Sequence, residues 1–174
     1  MARLFLALTL PEKLQRRLGE EADRLRLSGA HVRWVSPDLY HVTLRFLGEV
    51  SDSELPDLDD VLDQAVPGVG SLKLVAKGLG ATPSLDRPRV ITCGIVGRDE
   101  AEQEELLELN QRIEKGLVEL GYRREKRRFR PHLTLGRVRG DENLDSLTER
   151  IGPTVRREFG HFECHEVTLF ESVV

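Results

Sequence analysis

The sequence predicts an α+β fold in which two antiparallel-rich sheets, related by a pseudo-twofold axis, flank a central groove, with the helices outside. Three observations lead to this class. Short strand-like apolar runs recur between segments with helical periodicity. The order of these segments in residues 1–88 is repeated, with little identity, in residues 89–174. A His-apolar-Thr-Leu pattern occurs once in each half, at residues 41–44 and 132–135.

The length of 174 residues suits one domain. Helices that alternate with strands are typical of parallel sheets, but short strands and matching halves favour antiparallel ones. We therefore expect a single bilobal domain over residues 1–174, with interleaved lobes and approximate sequence halves 1–88 and 89–174.

The first half is expected to contain four strands and two helices. Pro11 suits the first turn of a helix, because its missing N–H would have no partner there. Gly48 is expected to end the first motif strand, Pro67-Gly68 the second helix, and residues 79–88 to form an irregular loop. The predicted elements are a strand at 4–8, a helix at 11–27, a strand at 31–35, the motif strand at 41–47, a helix at 51–65 and a strand at 71–78.

The second half is expected to repeat this series. Its long helix carries leucine and isoleucine at helical spacing, and Gly121 is a natural stop for it. Residues 123–130, called the basic loop below, then lead to the second motif strand, which begins near His132. The other predicted elements are a strand at 89–96, the long helix at 99–120, a short helix at 142–151 and strands at 157–164 and 166–173.

Both motifs are expected on strands, where successive side chains point to opposite faces. His41 and Thr43 then share one face, while the residues that alternate with them, through Phe46, point into a core. The same parity places His132 beside Thr134. Two such strands facing each other would offer two imidazoles and two hydroxyls to one small anion, which suits phosphate chemistry without a metal.

The charge distribution bears on possible partners. The net charge of −4 excludes a generally basic nucleic-acid-binding protein. Residues 123–130, however, hold six lysines and arginines, relieved only by Glu125. A charge run is commonly a solvated loop. Its position just before His132 favours instead the mouth of a site that attracts polyanions.

Composition also limits the cellular setting. No apolar run is long enough to cross a bilayer, and residues 1–10 lead into the first helix without a cleavage-site pattern, so we expect no membrane contact and a cytoplasmic location. Cys93 and Cys164 stand alone in apolar surroundings, which predicts buried thiols rather than a disulfide or a metal site.

Arginine and tryptophan near the motifs are further candidates. Parity puts Arg45 on the His41 face but puts Arg137 opposite His132, unless a bulge at Gly136 returns it. From the pattern alone, Arg130 and Arg137 are both candidate phosphate clamps. Trp34 is expected in the core, with base stacking as the alternative.

The motif histidines suit acid–base chemistry. Imidazole titrates at about 6.5 when unperturbed, so one of a facing pair can hold a proton while the other lacks it. One would take a proton from attacking water, and the other would protonate the leaving oxygen. A lone strand histidine is more often a packing residue, but two copies at matching places favour function.

Residues 3–11, 32–48, 78–81 and 129–137 resemble the RNA 2′,3′-cyclic phosphodiesterases, two-histidine phosphoesterases first named 2′-5′ RNA ligases. The resemblance covers nearly the whole chain. It implies one His-x-Thr motif in each lobe of a central groove. It also implies hydrolysis of a 2′,3′-cyclic phosphate at an RNA end to a 2′-phosphate and a 3′-hydroxyl, without a metal or other cofactor.

The resemblance also implies roles for residues. His41 would protonate the leaving 3′ oxygen and His132 would activate water. Thr43 and Thr134 would bind the phosphate and Arg137 would assist. The expected partner is an RNA with a 2′,3′-cyclic phosphate end, or a small cyclic nucleotide, bound by a monomer. Two alternatives remain: joining of RNA ends through a 2′-5′ bond at the same site, and a module that binds nucleotides or RNA without catalysis.

Overall fold

The computed structural model describes residues 1–66 and 70–172, and the predicted helix end at Pro67-Gly68 lies outside them. The described residues form eight strands and four α-helices. In chain order they are β1 (Ala2–Thr9), α1 (Glu12–Arg26), β2 (Val32–Trp34), β3 (His41–Val50), α2 (Leu55–Ala65), β4 (Leu72–Pro83), β5 (Pro88–Gly97), α3 (Glu100–Glu119), β6 (His132–Val138), α4 (Leu144–Ile151), β7 (Glu158–Cys164) and β8 (Thr168–Glu171).

The strands form two sheets, and every pairing between them is antiparallel. The first sheet has the order β3-β1-β8, and the second has the order β2-β6-β5-β4-β7. The helices bury apolar stripes, such as Leu14, Leu18 and Leu25 of α1, in a core shared with the strands. The predicted α+β class with two antiparallel sheets is confirmed.

The two sheets share an arrangement of three strands. β3-β1-β8 in the first sheet corresponds to β6-β5-β4 in the second, with a motif strand at one side and a strand from the other half of the sequence at the other side. β8 follows residue 88 but joins the first sheet, whereas β4 precedes residue 88 but joins the second. The proposed halves 1–88 and 89–174 therefore exchange strands.

Two predicted breaks are wrong because glycines at bulges let the strands continue. Gly78, at a φ of 85°, lies where the β4–β5 register shifts between Ala76 and Leu79, and β4 then runs to Pro83. The loop predicted at residues 79–88 is thus limited to a short turn. Gly48, at a φ of 76°, lies inside β3 rather than at its end.

Among the helices in the described parts of the chain, none combines the length and the apolar character needed to traverse a bilayer.

Candidate active site

The two motif histidines begin their strands, His41 at the start of β3 and His132 at the start of β6. β3 belongs to the first sheet and β6 to the second, yet the two strands approach each other to within 8 Å between Cα atoms. His41 is half-buried and His132 is exposed. The fold therefore brings the two motif strands next to each other and leaves both imidazoles open to solvent.

Each motif histidine makes the same hydrogen bond to the backbone two residues earlier. His41 Nδ1 lies 2.9 Å from the carbonyl oxygen of Leu39, and His132 Nδ1 lies 2.6 Å from that of Arg130. Because a carbonyl oxygen can only accept, each Nδ1 must carry the hydrogen. In the neutral ring, Nε2 then keeps a free lone pair, and in the charged ring it carries an available proton.

The motif threonines have matching places in the sheets. Thr43 pairs with Ala7 of β1, and Thr134 pairs with Thr92 of β5. Ala7 in turn pairs with Thr168 of β8. Paired residues of antiparallel strands project from the same face, so Thr168, and Thr9 opposite His41, share the face of His41 and Thr43, and Thr92 shares the face of His132 and Thr134.

Both motif strands contain a bulge at the leucine that ends the motif. The β1–β3 register shifts between Leu6 and Ala7, which leaves Leu44 without a partner, and the β5–β6 register shifts between Ile91 and Thr92, which leaves Leu135 without one. A bulge reverses the parity of all residues beyond it. Side chains beyond Leu44 and Leu135 therefore project from the face opposite to the one that the sequence pattern predicts.

The bulges correct three placements. Arg137, paired with Val90, returns to the face of His132, as a bulge near Gly136 would require. Arg45, predicted on the His41 face, instead turns towards helix α3. Phe46, predicted in the core, lies opposite Phe5 on the His41 face and is 62% exposed. Phe46 thus stands where Arg137 stands in the other motif.

At both bulges, a group that is not part of the strand pairing donates a hydrogen bond to the carbonyl oxygen of the bulged leucine. Asn110 Nδ2 of helix α3 donates to the carbonyl oxygen of Leu44 at 3.1 Å. The backbone N–H of Val35, just after β2, donates to the carbonyl oxygen of Leu135 at 2.9 Å. Because an unpaired buried carbonyl is costly, these bonds stabilise the irregular backbone next to the motif threonines.

Arg45 forms an ion pair with Glu114, so its guanidinium group does not serve to bind an anionic ligand. Its Nε donates to Glu114 Oε2 at 2.8 Å, and a second nitrogen donates to the carbonyl oxygen of Arg123. Glu114 Oε1 also accepts from the backbone N–H of Glu125 at 2.7 Å. Burial raises the pKa of Glu114, but the bonds from Arg45 and Glu125 outweigh it, and the pKa lies below the usual value of 4.5.

The basic loop opens on a cleft beside helix α3. The cleft has a volume of about 580 Å³ and is lined by residues 128–131 on one side and by Leu107, Asn110 and Gln111 on the other. Arg130 contributes twice, because its carbonyl oxygen binds His132 while its side chain is exposed. The loop is therefore both a support for the second histidine and a cationic surface.

An aromatic row lies beside the first histidine. The rings of Phe46 and Phe170 lie on either side of Phe5, with centroids 5.6 and 5.5 Å from it. The His41 ring lies 4.9 Å from Phe5. Trp34 is not part of this row; it is half-buried against the core, with the guanidinium of Arg26 5.8 Å above its ring. Trp34 therefore packs against the core, as predicted, but is only partly buried.

The two cysteines belong to the hydrophobic core. Cys93 and Cys164 are free and buried, as predicted, and burial raises the pKa of each thiol to about 12. Across residues 1–66 and 70–172, no three His, Cys, Asp or Glu side chains form a group that could hold a metal ion.

Comparison with known proteins identifies the family. The sequence pattern described as "LigT like Phosphoesterase" matches residues 8–92 and 96–173. The chain belongs to the LigT-like phosphoesterase family. The RNA 2′,3′-cyclic phosphodiesterase of Methanothermobacter thermautotrophicus is 32% identical to this phosphoesterase over 170 residues, which span 98% of this chain and 89% of the relative. That of Thermotoga maritima is 29% identical over 169 residues, 96% of this chain and 87% of the relative.

Solved structures share the fold of this phosphoesterase. The protein TT0787 of Thermus thermophilus superposes with a TM-score of 0.76 at 26% identity, covering 96% of this chain and 86% of that one. Escherichia coli LigT, in its complex with 3′-AMP, superposes with a TM-score of 0.75 at 23% identity, covering 99% and 89%. These likenesses confirm the two-sheet architecture.

The histidine faces of the phosphoesterase also carry polar residues that belong to no sequence motif, and Thr92, Thr168 and Arg33 are among them. Thr92 and Thr168 reach the motif threonines only through strand pairing, and Arg33 lies opposite Arg137 on the edge strand β2. A parity argument within β2 alone could not place Arg33, because the face depends on the bulge in β6. The register between strands is the signal that finds these residues.

Proposed function

We propose that this chain hydrolyses 2′,3′-cyclic phosphate ends of RNA to a 2′-phosphate and a free 3′-hydroxyl. Membership of the LigT-like phosphoesterases and the shared name of its relatives support this activity. The observation that carries the proposal is the matching bond from Nδ1 of each motif histidine to a backbone carbonyl. It leaves two Nε2 atoms of like geometry on neighbouring strands, as acid–base catalysis at one phosphorus requires.

The two histidines divide the proton transfers. Neutral His132 accepts a proton at Nε2 from a water molecule as the water oxygen attacks phosphorus. The bond from phosphorus to the 3′ oxygen breaks, and charged His41 gives the proton on its Nε2 to that oxygen. Proton exchange with solvent then restores both rings. Since the histidines handle both protons, the step needs no metal and no other cofactor.

The neighbouring polar groups hold the phosphate. Thr43 and Thr134 donate their hydroxyl hydrogens to the nonbridging oxygens, and Arg137 neutralises the charge that develops there. All three lie on the histidine faces of their strands. Arg130, at the end of the basic loop, binds the substrate at the mouth of the site, where the long-range attraction for RNA is strongest.

We further propose that residues 1–174 act as one catalytic unit, a cytoplasmic monomer whose partner is an RNA end or a small cyclic nucleotide. Each sheet takes strands from both sequence halves, and both motif strands come from one chain. A second copy is not required to complete the site.

The test uses a short RNA oligonucleotide that ends in 2′,3′-cyclic phosphate, incubated with the protein and EDTA. We expect an oligonucleotide with a 2′-phosphate as the product. His41→Ala and His132→Ala should each lower turnover by about 10² to 10⁴-fold while binding weakens modestly. His161→Ala, at an exposed position of β7, is the matched control.

Two results would overturn the proposal. A folded wild-type sample that yields no 2′-phosphate would exclude the activity, and if it still binds the oligonucleotide, the chain is a binding module. A joined 2′-5′ product in excess of hydrolysis would instead favour RNA end joining at the same histidines.

A further inference from the structure

Two arginines lie directly opposite each other at the edge of the second sheet. In the β2–β6 register, Arg33 pairs with Arg137, and both side chains are exposed. Other arginines on the motif strand β3 and on β5 have a carboxylate partner: Arg45 pairs with Glu114, and Arg89 pairs with Asp141. Within residues 1–66 and 70–172, neither Arg33 nor Arg137 is in an ion pair.

The register fixes the face on which Arg33 stands. Its neighbours Val32 and Trp34 project to the other side, where a Cβ on Gly136 would come within 2.7 Å of Val32 and 2.9 Å of Trp34. Arg137 shares the face of His132 because of the bulge at Leu135. Arg33 therefore projects from the histidine face, on edge strand β2.

Folding alone does not account for this pair. Like charges directly opposite each other on antiparallel strands are destabilising. An anion that bridges or lies between the two guanidinium groups removes that repulsion, and guanidinium is well suited to phosphate oxygens. The pair is thus arranged for a ligand with more than one negative charge.

We propose that Arg33 binds the phosphodiester adjacent to the terminal cyclic phosphate of an RNA strand. This inference rests on the proposed function, in which Arg137 contacts the cyclic phosphate. Neighbouring strands are about 4.8 Å apart, so Arg33 lies one strand away from β6, the strand that carries His132 and Arg137. The next phosphate along the RNA is the anion that suits this position. A cyclic mononucleotide has no such phosphate and cannot use Arg33.

The experiment compares two substrates, an oligonucleotide with a 2′,3′-cyclic phosphate end and a 2′,3′-cyclic mononucleotide. For Arg33→Gln, we expect the ratio of kcat/KM for the oligonucleotide to that for the mononucleotide to fall about tenfold, as for one lost charge-assisted contact. The slope of log kcat/KM against log salt for the oligonucleotide should become shallower by about 0.7. Arg33→Lys should recover part of the ratio.

Arg16→Gln, on the exposed surface of α1, makes the same charge change as a control and should keep the wild-type ratio. Equal loss on both substrates, or no change in the ratio for a folded Arg33→Gln, would refute the role of Arg33 and leave the proposed activity standing. If the wild type hydrolyses neither substrate, the proposed function fails and this inference with it. Circular dichroism and thermal unfolding establish that each variant is folded.

Discussion

Glu114 of helix α3 binds Arg45 of the first motif strand, with Arg45 Nε donating to Glu114 Oε2 at 2.8 Å. The same carboxylate accepts from the backbone N–H of Glu125, within the basic loop that leads to the second motif. One acidic side chain thus connects the strand of His41 to the segment that supports His132. The pair is the physical link between the two motifs on the helix side of the sheets.

Removal of this carboxylate should destabilise the protein. Arg45 is only 10% exposed, so Glu114→Ala leaves a nearly buried cation without its partner. We expect a loss of about 2 to 3 kcal/mol in the free energy of unfolding, measured by urea titration. Glu108→Ala makes the same change at an exposed position of α3 and should cost far less. Equal losses in the two variants would contradict a role for the ion pair.

The contribution of Glu114 should depend on pH with a definite sign. Its folded-state pKa lies below the usual 4.5; burial alone would raise it, but the bonds from Arg45 and Glu125 lower it by more. A depressed pKa means that the charged form stabilises the fold above the unfolded-state pKa, and that this stability is lost as the pH falls through the folded-state value. The stability difference between wild type and Glu114→Ala should therefore be constant above pH 4.5 and shrink below it. A difference that grows in acid would have the wrong sign.

The motif histidines should share one tautomer. Because Nδ1 of His41 and His132 donates to a backbone carbonyl, both neutral rings should carry hydrogen on Nδ1 and not on Nε2. Nitrogen-15 NMR of the histidine side chains in mildly alkaline solution distinguishes the two nitrogens. Exposed His31 serves as a reference ring. Hydrogen on Nε2 of either motif histidine would remove the base or alter the acid proposed above.

Substitution by alanine should cost far more stability at one glycine than at another. A Cβ on Gly97 would lie 2.1 Å from the backbone nitrogen of Gln103, and neither backbone can move aside without disturbing β5 or α3. We expect Gly97→Ala to cost more than about 3 kcal/mol. A Cβ on Gly152 meets nothing within 4 Å, and the only strain comes from Pro153, which disfavours a helical conformation in a preceding residue that has a Cβ. Gly152→Ala should therefore cost no more than about 1 kcal/mol, because restriction of the unfolded chain offsets part of that strain. Thermal unfolding of both variants checks the contrast.

Much of the fold could be predicted from local patterns. Each predicted helix overlaps a helix of the structure, because apolar residues at helical spacing identify a buried stripe wherever the partner lies. The motif strands and the family were also predicted correctly, the latter confirmed by the match over residues 8–92 and 96–173. The prediction treated Gly48 and Gly78 as the ends of strands, whereas each lies at an irregularity within a strand that continues.

The orientation of side chains after the motifs could not be predicted in the same way. A bulge is a property of two paired strands, and neither Leu44 nor Leu135 differs from an ordinary strand residue in the sequence. One extra residue moved Arg45 away from the site and brought Arg137 into it. The partners of the motif threonines were missed for the same reason, since pairing joins residues far apart in the chain.

The exchange of β4 and β8 between the sheets has a consequence for how the polypeptide can be divided. A fragment that stops at residue 88 would have β1 and β3 but no β8 to cover the free edge of β1, and would carry β4 without the β5 that pairs with it. A fragment that begins at residue 89 would have the converse defects. Expressed together, the two pieces should recover structure only by binding each other, so the protein resembles a tightly joined heterodimer whose subunits are covalently connected at a hairpin.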